Sequence, residues 1–104
     1  MISIIPFKPL PSFIEEITLG EVPFILYFNW NSRGLFWTLD ILDREENDII
    51  IGIKLVNQYE LLGMFAESNL PKGKLYVVDN RQQMGNIEYA SFTNGQCSLV
   101  FEDA

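Results

Sequence analysis

The chain has no histidine, one cysteine and only seven basic residues. Each shortage removes a class of chemistry. Without histidine, neither a Ser-His-Asp nor a Cys-His catalytic unit has its base. A single thiol, Cys97, closes no intramolecular disulfide and leaves no Cys/His zinc set. Seven Lys and Arg stand against fourteen Asp and Glu, for a formal charge of −7 over 104 residues. That balance disfavours direct nucleic-acid contact, which relies on cations neutralising phosphates, and it disfavours an anionic membrane surface. Long apolar runs are missing too. The most apolar stretch, Val22–Phe28, is seven residues long and contains Pro23, far short of the roughly 20 needed to span a bilayer. The first ten residues carry Pro6, Lys8 and Pro9 without a small-residue cleavage site, so they do not read as a signal peptide. The expectation is a soluble, intracellular or assembled protein without membrane contact, its lone thiol compatible with a reducing compartment.

Apolar material cut into short pieces is what the chain does have. The sequence is 48% hydrophobic, with eight Phe, four Tyr and two Trp. Its length is that of one small domain, 1–104, too short for a cleft between two lobes. Runs bounded by turn residues predict strands. They fall at Ile2–Ile5, Phe13–Leu19, Val22–Trp30, Leu35–Asp43, Asp48–Val56, Lys74–Val78 and Ser98–Glu102, with a weaker one at Ile87–Phe92. In the second run, Phe13, Glu15, Ile17 and Leu19 share a face. In the fourth, Leu35, Trp37, Leu39 and Ile41 do. Ile49, Ile51, Ile53 and Leu55 do so in the fifth. Pro23 belongs at a strand's beginning or edge, because it cannot donate to a ladder. Between Asn57 and Asn69 the period changes. Leu61, Leu62 and Phe65 fit one short helix, with Asn57 as its cap and Glu60 completing a capping box. The fold class is therefore all-β, a small antiparallel barrel or sandwich of seven or eight short strands plus one short helix. Pro6, Pro9 and Pro11 allow residues 1–11 to be an extended N-terminal arm on a neighbour, or simply the lead-in to the first strands.

Side chains that could carry chemistry are few. Asp43, Glu45 and Asn47 occupy positions one, three and five of a calcium-loop series. Position six is Asp48 rather than Gly, and position twelve is Lys54 rather than Glu. A solvated hairpin loop is the plainer reading, and no metal site is assigned. Spacing in the sequence does not place any two of the carboxylates Glu15, Glu16, Asp40 and Asp43 across a cleft, and an all-β chain of 104 residues leaves little room for one. Cys97 has no neighbouring base or cation to make it reactive and reads as a small buried residue. The triplet Asn31-Ser32-Arg33 lacks the hydroxyl residue of a glycosylation acceptor. Catalytic, cofactor and metal residues are thus all expected to be none, and the chain is expected not to be an enzyme. Tyr27, Phe28, Trp30, Phe36 and Trp37 surround one hairpin and admit two readings: a stacking platform for carbohydrate, or cross-strand packing in a core.

The run from Phe24 to Ile41 resembles the centre of the cyanophage baseplate plug family. An apolar strand ending in Tyr27-x-Asn29 leads through a polar turn into Trp37-x-Leu39-x-Ile41. Gly52-x-Lys-Leu-Val, Leu61-Leu62, and Leu70-Pro71-x-Gly73-x-Leu75 with Asp79 resemble its downstream half, and Ser98-Leu-Val-Phe101 its closing strand. The similarity runs from Val22 to Phe101, with Met84 to Gln96 departing from the pattern. It implies a non-enzymatic hub or plug subunit of a contractile-tail phage or prophage baseplate that helps close the tail channel. The implied partners are baseplate hub, tail-tube and spike proteins and further copies of the chain. The implied places are the virion tail and, during assembly, the host cytoplasm. A small carbohydrate-binding module using the aromatic hairpin is the competing reading.

Overall fold

Alternation is cleanest in Phe36–Leu42, and there the side chains divide as the pattern predicts. Trp37, Leu39 and Ile41 are buried, while the residues between them are half-buried. In the computed structural model, which describes residues 2–56, 60–63, 70–80 and 87–103, this is β4. The other strands are β1 (Ile2–Ile5), β2 (Ser12–Leu19), β3 (Val22–Asn31), β5 (Asp48–Lys54), β6 (Gly73–Asp79) and β7 (Cys97–Asp103). They form two antiparallel sheets, one of order β2-β3-β4-β5 and one of order β1-β7-β6. The sheets do not close into a barrel. They face each other as a sandwich, and their inner faces merge in one core. Phe24, Leu26, Phe28, Trp37, Leu39 and Ile41 come from the larger sheet, and Ile5, Leu75, Val77, Leu99 and Phe101 from the smaller. Each large apolar side chain so buried contributes roughly 1.5–3 kcal/mol.

The four-stranded sheet is a meander built by local turns. Gly20 and Glu21 both have positive φ, 59° and 70°, as a two-residue type I′ hairpin requires. Leu19 and Val22 flank that turn. Pro23 is the second residue of β3 and lies opposite Thr18, one step beyond the hydrogen-bonded pair that closes the turn. Its missing N–H therefore costs the β2–β3 ladder nothing. The β3–β4 turn is tied by Asn31, whose Oδ1 accepts from the N–H groups of Arg33 (3.0 Å) and Gly34 (2.9 Å).

Three expectations need correction. Leu35 does not join β4. It sits in the turn at φ 57° and is 67% exposed, because Asn31 holds the chain in a turn until Phe36. Ile51 does not share a face with Ile49, Ile53 and Leu55. Leu39 pairs with Ile53 and Ile41 with Ile50, so Ile51 and Gly52 together oppose Asp40 in a β-bulge. Gly52 takes φ 80° there, and its N–H donates to Asp40 Oδ1 at 2.8 Å. The bulge buries Ile50 and leaves Ile51 57% exposed. Ile87–Phe92 is not a strand. The buried Ser91 hydroxyl accepts from the Glu88 N–H and donates to Gln96 Oε1, and its carbonyl accepts from Cys97, so the segment closes into turns.

The helix expected over Asn57–Asn69 lies outside the described residues except for 60–63, which bend and turn. Among the described residues there is no helix. Asn57, the expected cap, lies outside the described residues, and Glu60 has a different visible task. Its carboxylate accepts from the N–H groups of Leu62 (2.8 Å) and Leu75 (2.9 Å), while Leu61 N–H donates to Leu75 O (2.7 Å). Residues 60–62 thereby cover the outer edge of β6.

The proline-rich lead-in is folded onto its own chain. Ile2–Ile5 pairs with Glu102–Leu99 of β7, and Phe7 inserts among Phe13, Phe28, Trp37 and Phe92, with ring centroids 4.2–5.3 Å away.

Candidate interaction surface

The five hairpin aromatics are split between the two faces of the larger sheet and form no common platform. Phe28 and Trp37 are in the core. Trp30 lies directly across the strands from Trp37, with ring centroids 5.6 Å apart. Tyr89 stacks on the Trp37 ring, and its carbonyl accepts the indole N–H at 3.3 Å. Tyr27 and Phe36 lie on the opposite, outer face. Ser12 Oγ donates to the Tyr27 hydroxyl at 3.0 Å, and the Lys54 ammonium sits 4.6 Å from the Phe36 ring centre. The carbohydrate reading thus loses its two largest inward rings to packing.

The acidic side chains are likewise dispersed. Asp40 is held by the bulge. Asp43 accepts from the N–H groups of Asn47 (2.8 Å) and Glu45 (3.0 Å) and from the Asn47 amide (3.1 Å). The Asn47 backbone N–H is the main influence holding the Asp43 carboxyl below its ordinary value; slight desolvation opposes it, and the Asn47 amide and Glu45 N–H reinforce it. Its oxygens organise the β4–β5 loop itself. Among the described residues, no group of three or more Cys, Asp or Glu side chains is disposed to hold a metal ion. Cys97 is buried in β7. An open groove between the β2–β3 turn and the β4–β5 loop is lined by apolar Val22, Phe24 and Ile49 together with charges of both signs, among them Glu21, Arg44 and Lys72.

Exposed apolar residues are instead concentrated on the outer sheet faces. On the smaller sheet, Ile4 and Tyr76 flank Val100 in register. Ile2 and Ile4 are 60% and 67% exposed on β1, and across β7 the exposed Val78 follows Tyr76 along β6. Val100 is buried although it points away from the core, so these residues form a continuous apolar stripe. On the larger sheet, Ile14 lies beside Tyr27, and Ile51 is exposed at the bulge. Composition could not reveal the stripe on the smaller sheet, because it joins residues from both ends of the chain.

The outer edge of β2 has one further peculiarity. Glu15 is on the inner face of this edge strand, between Phe13 and Ile17 and opposite Leu26. Its Oε2 is buried without a hydrogen-bond partner. Desolvation pushes the carboxyl above its ordinary value, and the Lys8 charge only partly opposes this. A carboxyl whose folded pKa is raised binds its proton more tightly in the native state, so ionisation above that pKa destabilises the fold. Glu15→Gln should therefore raise the unfolding free energy at pH 7, measured by urea titration, by roughly 0.5 kcal/mol or less for a half-buried group. The gain should vanish once the pH falls below the ordinary carboxyl value, where both states are protonated. Equal gains at pH 7 and pH 3.5 would contradict this.

A family model described as cyanophage baseplate Pam3 plug gp18 matches residues 2–104. No curated protein matches the chain.

Proposed function

Since the chain belongs to the cyanophage baseplate plug family, we propose that it is a non-enzymatic structural subunit that helps close the tail channel. It would do so through contacts with baseplate hub, tail-tube and spike proteins and with further copies of itself. The observation that carries this reading is the apolar stripe on the smaller sheet, with Ile2 and Ile4 exposed around the buried Val100. Apolar surface rimmed by polar residues marks contact with another protein more often than it marks chemistry. A free subunit with charge −7 stays dispersed in the host cytoplasm until that surface is covered. The dispersal of its carboxylates and the absence of histidine fit a part that acts by contact.

The test is assembly. Ile2→Lys combined with Ile4→Lys leaves the core untouched, since both side chains face outward, but it places two charges in the contact. Incorporation into purified tails should fall at least about tenfold, as expected when charges are buried without partners. Tails built without the subunit should show an open lumen by electron microscopy. Normal incorporation of the double variant would remove the stripe as the contact, and a closed lumen without the subunit would remove the plugging role.

A further inference from the structure

An edge strand presents unpaired N–H and C=O groups, and proteins usually shield them. The β6 edge is shielded by Glu60–Leu62, and β5 is interrupted by its bulges. Among the described residues β2 has neither cover nor bulge, and only the inward-pointing charge of Glu15 guards it. It is eight residues long, and among the described residues its only strand partner is β3. The hairpin sets which groups face outward. Leu19 and Val22 close the two-residue turn as a hydrogen-bonded pair, so Ile17, Glu15 and Phe13 also bond toward β3. The backbone groups of Ser12, Ile14, Glu16 and Thr18 therefore point to the open side.

Side chains along that edge narrow the occupant. On the inner face, apolar Phe13 and Ile17 flank Glu15, whose buried Oε2 lacks a donor. On the outer face Ile14 is 54% exposed and Glu16 is exposed. A second copy fits badly. Antiparallel self-pairing with nearly full overlap sets Glu15 or Glu16 against the same carboxylates of its twin, and like charges directly opposite are destabilising. A strand carrying a cation at the level of Glu15, with apolar residues two positions to either side, satisfies both the orphan oxygen and its neighbours.

We propose that the open edge of β2 receives an extended segment of another protein, which adds a fifth strand to the larger sheet and places a lysine or arginine against Glu15. Backbone pairing supplies the affinity and the alternate side chains the selectivity, as in other strand additions. This deepens the contact role proposed above and rests on it for the partner's place in the tail, whereas the edge itself follows from the fold.

A synthetic peptide, Thr-Val-Thr-Lys-Thr-Val-Thr, presents Val-Lys-Val on one face, and the same peptide with Glu in place of Lys is its control. Titrated into the full-length protein, the Lys peptide should slow amide exchange at Ile14 and Glu16. It should bind at least about tenfold more tightly than the Glu peptide. Glu15→Lys should reverse that preference. Thr18→Pro, which removes an outward N–H and no β3 bond, should weaken both peptides while the thermal midpoint shows the domain still folded. Equal affinity for the two peptides, absence of protection in β2, or retained preference in Glu15→Lys would overturn the proposal. None of these results bears on whether tails without the subunit have an open lumen, so the edge and the plugging role fail separately.

Discussion

Replacing Trp37 with alanine should lower the unfolding free energy by about 3–5 kcal/mol, the usual cost of deleting a large buried aromatic. Trp37 is 1% exposed. Its ring meets Phe7 from the lead-in, Phe13 from β2, Trp30 from β3 and Tyr89 from the turns before β7. One side chain therefore joins segments from both ends of the chain to the central hairpin. Truncation also frees the Tyr89 carbonyl from its indole donor. A domain of this size has about 5–15 kcal/mol in total, so the variant would sit near its folding threshold. The thermal midpoint should fall on the order of 20 °C, read by circular dichroism. Trp30→Ala, at a half-buried position on the rim of the same cluster, should cost clearly less. If the two changes had equal small effects, the cluster would be a surface feature and the carbohydrate reading would regain ground.

Glu60→Ala should cost about 2–4 kcal/mol, although its side chain is only half-buried. The carboxylate serves two backbone donors, Leu62 N–H and Leu75 N–H. Removing an acceptor from a partly buried donor costs about 1–3 kcal/mol each. The loss should be local in its first expression. Amide exchange at Leu75 should accelerate before the rest of β6, because the 60–62 segment no longer covers that edge. Both donors share one carboxylate oxygen, so Glu60→Gln, whose amide oxygen has two lone pairs to accept them, should cost clearly less. An unchanged exchange rate at Leu75 in Glu60→Ala would show that the edge is protected by other means.

The two predictions differ in how far the sequence announces them. Trp37 falls in a strictly alternating strand, and alternation alone assigns it to the buried face. Glu60 is announced only as a helix-capping residue, and nothing local announces its bond to Leu75, fifteen residues away. Local patterns report local geometry. Neither the bulge at Ile51 and Gly52 nor the turn at Leu35 could be read from hydrophobic alternation, which assumes that every residue advances the strand by one place. Ile51 is exposed because two residues oppose Asp40, a fact about strand pairing. The Ile87–Phe92 segment failed as a strand for a related reason: the buried Ser91 offered its backbone nearer hydrogen-bond partners than a ladder would.

The candidate surface shows the same division. The absent histidines and the single cysteine removed whole classes of catalysis before any fold was known, because those reactions need particular atoms. The all-β class and all seven strands, within a residue or two, follow from apolar runs and turn residues, and the family resemblance rests on those same runs. By itself the sequence determined what this protein is built from and which reactions it lacks the atoms to perform. Tertiary structure decided where the remaining apolar surface lies. Strand order put Val100 between Ile4 and Tyr76, and it left β2 at an edge with Glu15 turned inward. Which strand becomes an edge depends on pairings between distant segments, and no local periodicity encodes them.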